Sequence, residues 1–174
     1  MDLTANQQQA LGVVREVLDQ AGLAFEQPEG NAFVVALPGE HKLSTPCAFV
    51  VGQHTVSVNA FVARKPDENH EEVYRRILQQ NPRLSGIAFA LDRLGDIYLV
   101  GRVRTDVVTS DLIDGLLGSV ASAADSIFDR ILATGFESSI RKEWQWRQAQ
   151  GQPTDSLEAF RTLLNLDVDI EIEN

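Results

Sequence analysis

The sequence predicts an α+β fold: an antiparallel five-stranded sheet packed with helices, in the order α-β-β-β-α-β-β-α, followed by a C-terminal helical extension. Three observations carry this. His54–Val62 alternates without a break, with Val56, Val58, Ala60 and Val62 facing one way and Thr55, Ser57 and Asn59 the other, the period of a strand with one buried face. Two apolar runs, Gly86–Leu91 and Ile97–Val103, flank Asp92-Arg93-Leu94-Gly95-Asp96 and read as a tight hairpin. From about Ser110 to Thr134, apolar residues then recur at three- and four-residue spacing, long enough for one helix to cross a sheet.

The remaining elements follow in order. Thr4–Gly22 reads as a helix, with Leu11, Val14, Leu18 and Ala21 on one stripe and Gly22 as its stop. Asn31–Leu37 ends at the turn signal Pro38-Gly39, and Thr45–Val51 ends at Gly52-Gln53, which suits a short hairpin. After Pro66 a second helix begins near Asp67–Asn69. Asn69 and Glu72 have the spacing of a capping box, and Pro82 stops the helix at Asn81. A helix at this point allows the chain to cross over before the hairpin. The long helix takes Thr109 as N-cap and ends at Gly135. Phe136, Ile140 and Trp144 mark a further helix. Asp155–Leu164 suggests a short capped one, and Leu166–Glu173 alternates apolar and acidic residues with the period of a strand. Residues 1–147 are expected to form the α+β domain and 148–174 its extension.

With 174 residues, 44% of them hydrophobic, the chain suits one domain with a sizeable core. A net charge of −10 opposes nonspecific binding to nucleic acid or anionic membrane, both polyanions. No apolar run approaches the roughly 20 residues of a membrane span, and Met1–Gln9 has neither the basic segment nor the apolar core of a secretory signal. Cys47 stands alone, which excludes an intrachain disulfide. A cytoplasmic setting is the expectation.

No catalytic signature is visible. His41, His54 and His70 lack a second ligand at metal spacing, so neither a metal nor another cofactor is expected. Cys47 lies in a strand pattern and reads as a buried, inert thiol. Acidic pairs such as Asp111/Asp114 and Asp125/Asp129 have the spacing of a solvated helix face. Arg102 and Arg104 alternate with core positions and leave the sheet on the face that also carries Tyr98, which makes a candidate partner-binding surface in an acidic protein; a salt-bridged, solvated face is the competing reading. Trp144 and Trp146 complete the candidate set, since about 200° separates them on a helix and both cannot face one core. Gly115, Gly118 and Ser122 make a small-residue surface suited to close packing with another helix or a second copy. The alternating terminal segment has three readings: pairing with the chain's own sheet, a frayed tail, or addition to the sheet of another copy.

The segment Asn81–Val103, NPRLSGIAFALDRLGDIYLVGRV, followed by Leu112–Phe136, resembles the YbjN-domain family of bacterial proteins. That family is similar in fold to the type III secretion chaperones, an α-β-β-β-α-β-β-α sandwich that is often a homodimer. The likeness covers roughly residues 5–147 and rests on apolar positions around one Gly-Asp hairpin. It implies the same element order, carries over no catalytic residue, and leaves the extension outside the family pattern. The resulting expectation is a non-enzymatic, homodimeric module, chaperone-like or regulatory, that binds a partner protein or peptide. The alternative is a domain that senses a small molecule.

Overall fold

The computed structural model describes residues 3–167. A single antiparallel sheet holds six strands: β1 (Phe25–Glu26), β2 (Ala32–Pro38), β3 (Ser44–Val51), β4 (Thr55–Ala63), β5 (Ala88–Leu91) and β6 (Ile97–Arg104). Their order is β1-β2-β3-β4-β6-β5. The added strand, β1, is two residues long, too short for any alternation to reveal; it pairs Phe25 with Val35. β6 lies between β4 and β5 because helix α2 (His70–Leu78) carries the chain across before the hairpin returns.

Helix α1 (Ala5–Gln20) starts with a complete capping box, in which the Thr4 hydroxyl accepts from Gln7 N–H and the Gln7 side chain accepts from Thr4 N–H. Helix α3 (Ser110–Gly135) is unbroken over 26 residues, and at 1.5 Å per residue it spans about 39 Å. Thr109 caps it by accepting from Leu112 N–H. α1 and α3 pack on one face of the sheet. The core between them is built from Phe33, Phe49, Ile97 and Leu99 of the strands with Val14, Leu18, Ile113 and Val120 of the helices, all essentially without solvent contact. Burying each such aliphatic or aromatic side chain contributes roughly 1.5–3 kcal/mol.

Helix α4 (Glu137–Gln150) and helix α5 (Glu158–Leu164), preceded by a 3-10 turn at Asp155–Leu157, fold back on the end of α3. They build a second apolar cluster from Ala133, Phe136, Ile140, Trp144, Phe160, Leu164 and Leu166. From residue 168 onward the expected terminal strand lies outside the described residues. Leu166 is buried in this cluster, and residues 165–167 form a turn.

Two local expectations are corrected. Asn69 does not cap α2: its backbone is left-handed at φ 52°, and its side chain instead donates to the Thr134 carbonyl at 2.9 Å, tying the start of α2 to the end of α3. β5 begins at Ala88, two residues late, because Gly86 at φ 75° turns the chain out of the strand. The β2–β3 loop is held onto α3 by long-range bonds that local spacing does not show. Asp125 accepts from the N–H groups of His41 and Lys42, both at 2.8 Å, and His41 Nδ1 lies 2.7 Å from Asp129.

Candidate interaction surface

Among the described residues, no helix packs on the second face of the sheet. Pairing builds it as rows running across the strands: Val34, Ala48, Asn59, Val100 and Ala88 form one, and Ala32, Val50, Ser57 and Arg102 the next. Val34, Val50 and Val100 each keep 37–38% of their surface exposed. None of the strands β2 to β6 contains an aspartate or glutamate, although the whole chain has 25 acidic residues. Their only ionisable groups besides Cys47 and Tyr98 are Arg102 and Arg104. The face is therefore apolar and hydroxylic, with cations at one margin, on a molecule that is otherwise acidic.

Register puts Ser57 opposite Arg102, Thr55 opposite Arg104 and Phe61 opposite Tyr98, so the two sequence stretches singled out for this face meet on it. The Tyr98 ring stands edge-on to Phe61 at 5.5 Å and is half-buried. Arg104 is paired through Nε and Nη2 with Asp106 at 2.9 and 2.5 Å, and that bond with its charge holds Asp106 below the usual carboxylate range. Arg102 is exposed and has no ion pair among the described residues. Beside it, Gly86, Ile87, Ala88, Val100, Gly101 and Arg102 line an open notch of about 520 Å³.

The other expected residues part company. Trp144 is 4% exposed and fills the second apolar cluster, so it is not a surface residue, whereas Trp146 is 56% exposed. Gly115, Gly118 and Ser122 lie exposed on α3, and a methyl group added at either glycine would meet nothing. No helix of the described chain packs on them. The glycines that do admit close approach are others: a methyl on Gly101 would strike the Gly86 carbonyl, and one on Gly135 would strike Pro66.

Burial pushes the Cys47 thiol up to about 12, so it stays protonated at neutral pH. Lys42 was not anticipated from the sequence. Its Nζ lies over the Phe61 and Phe128 rings at 5.6 and 5.1 Å and donates to the Ser44 carbonyl, and burial lowers its pKa. No sequence spacing relates these three residues; the loop anchored by Asp125 brings them together. Among the described residues no cluster of three or more metal-ligating side chains occurs, and no helix is long and apolar enough to cross a membrane.

Residues 10–133 match the model of the YbjN family, described as "Putative bacterial sensory transduction regulator". The chain is 46% identical over 156 residues to an uncharacterized protein of Mycobacterium tuberculosis, Rv0487, covering 87% of this chain and 85% of that one. It is 45% identical over 161 residues to an uncharacterized protein of Mycobacterium leprae, ML2442, covering 90% and 88%. Among solved structures, the fold is similar to a chain of the ExsC–ExsE complex, with a TM-score of 0.50 at 15% identity over 73% of this chain and 94% of that one. The Yersinia pestis type III secretion chaperone SycH, solved with a fragment of YscM2, gives a TM-score of 0.42 at 16% identity over 72% and 98%.

Proposed function

The chain belongs to the YbjN family, and on that premise we propose that it is a non-enzymatic protein-interaction module that holds a segment of a partner protein against its open sheet face. One observation carries the reading: a sheet face free of helices and acidic side chains, apolar along its rows, with Arg102 and Arg104 at its margin. Contact with Val34, Val50 and Val100 supplies apolar burial at roughly 25 cal/mol per Å², and the two arginines orient an acidic or carbonyl-rich segment. The similarity in fold to a protein solved in the ExsC–ExsE complex supports the same use of the scaffold. Homodimerisation and a cytoplasmic setting belong to this proposal.

The test is capture of interacting proteins from cells of the source organism with the native chain and with a Val34→Glu/Val50→Glu variant. A protein held by the native chain and lost from the folded variant supports the reading; the same proteins recovered with both sink it. The family description as a sensory transduction regulator favours the second reading, small-molecule sensing. A metabolite that co-purifies and raises the melting temperature, with no protein partner, establishes that one instead.

A further inference from the structure

We propose that the overhanging half of β6 accepts, as an added strand, the acidic C-terminal segment 168–173 of a second copy of this chain. β5 covers β6 only as far as the pair Ala88–Val100, because Gly86 turns the chain away, while β6 runs on to Arg104. Thr105 N–H bonds across to the His54 carbonyl, on the β4 side, at 3.0 Å. Main-chain groups alternate sides along an antiparallel strand, so those of Arg102 and Arg104 point to the side that β5 vacates. The adjoining edge is treated differently: Asn81 pairs its side-chain amide with both main-chain groups of Phe89. On this side of the sheet, the stretch of β6 that β5 leaves uncovered is the one that carries the two arginines.

That edge specifies its occupant. A strand laid beside it places alternate side chains on the open face, next to Arg102 and Arg104. The intervening ones fall on the helix side, next to Val103, past the point where Gly86 and Ile87 close over Gly101. Acidic residues at every second position with aliphatic ones between satisfy both rows. Val168-Asp169-Ile170-Glu171-Ile172-Glu173 has that alternation, and Asp167 before it is held in a turn by Arg161 at 2.8 Å.

Reach assigns the segment to another copy. Leu166 is packed with Ala133 and Phe136 at the C-terminal end of α3, and Arg104 precedes the N-terminal end of the same helix, about 39 Å long. Eight residues after Leu166 extend at most about 28 Å, and several of them must lie along the edge itself. Reciprocal exchange of two such segments closes a twofold dimer. The inference needs no foreign partner and stands whether or not one binds the open face.

A labelled peptide of sequence Leu166–Asn174 is titrated into the chain lacking residues 168–174, whose last buried residue, Leu166, is retained. The expected result is saturable binding, with amide shifts at Gly101–Arg104. Arg102→Glu/Arg104→Glu should weaken it about tenfold or more, and lysines in place of the peptide's acidic residues should restore binding to that variant. Light scattering should show a dimer for the full chain and a monomer after the deletion. No binding to the shortened chain, equal binding to the folded double variant, or a dimer indifferent to the deletion overturns the proposal. None of these results touches partner capture through Val34 and Val50.

Discussion

The Asn81 side chain takes the place of a missing strand beside Phe89: its Oδ1 accepts from Phe89 N–H at 2.7 Å and its Nδ2 donates to the Phe89 carbonyl at 3.4 Å. Edge strands recruit other chains unless their main-chain groups are occupied. Asn81→Ala should therefore cost about 1–3 kcal/mol by leaving two partly buried groups unpaired, and should lower the concentration at which the protein aggregates. Urea unfolding and static light scattering read the two effects. Asn81→Asp keeps only the accepting half and should fall between.

The loop that holds His41 should stay docked on α3 only within a pH window. Asp129 bonds to His41 and raises its pKa above the ordinary 6.5, so this attachment is complete below 6.5 and fades as pH rises through the raised value. Burial raises the Asp125 carboxyl, but bonds from the N–H groups of Lys42, His41 and Glu40 outweigh it and leave the pKa below 3.8. That attachment is present above 3.8 and is lost as pH falls through the lowered value. Amide exchange at Glu40–Lys42 should be slowest between the two limits. Asp125→Ala should speed exchange there at every pH above 3.8.

Gly101 and the helical pair Gly115 and Gly118 should respond with opposite sign. Gly101→Ala forces a methyl group into the Gly86 carbonyl and should lower stability by about 1–3 kcal/mol. Gly115→Ala and Gly118→Ala add a methyl to open space on a helix and should each raise it by about 0.5–1 kcal/mol. Thermal melts decide both. If those helical glycines meet a second copy, the same alanines also weaken association in light scattering.

The two tryptophans should separate cleanly. Trp144→Ala empties the middle of the second cluster and should cost about 3–5 kcal/mol of its local stability. Trp146→Ala should stay within about 0.5 kcal/mol. Limited proteolysis of the segment 148–167 should accelerate only in the first. Trp144 Nε1 is buried with no hydrogen-bond partner among the described residues, so Trp144→Phe should cost much less than the alanine variant.

Cys47 should resist thiol reagents in the folded protein and react on unfolding. Its thiol is buried and pushed up to about 12, which leaves almost no thiolate at neutral pH. Labelling at graded urea should track the unfolding curve; fast labelling in buffer would show the β3 interior open to solvent.

Much of this molecule was legible before any coordinates. Alternation over His54–Val62, the spacing along α3 and the break at Pro66 are local signals, and they mark a strand, a helix and a boundary. The site was half legible: Arg102, Arg104 and Tyr98 announce a face by parity, and the structure adds Val34 and Val50 from strands far away in the chain. Trp144 does not lie on a surface because burial of an aromatic depends on what folds over it, and Phe160 and Leu164 of α5 do so from farther along the chain.

By itself the sequence determined every element but the two-residue β1, their order and which side of the longer ones turns inward, because period and turn chemistry act over a few residues. Tertiary structure alone decided that β6 slips between β4 and β5, that Asp125 holds a loop more than eighty residues away, and that one stretch of sheet edge is closed by Asn81 while the next is left open. Those outcomes depend on which distant segments share a neighbourhood, and that is settled by the packing of the whole core.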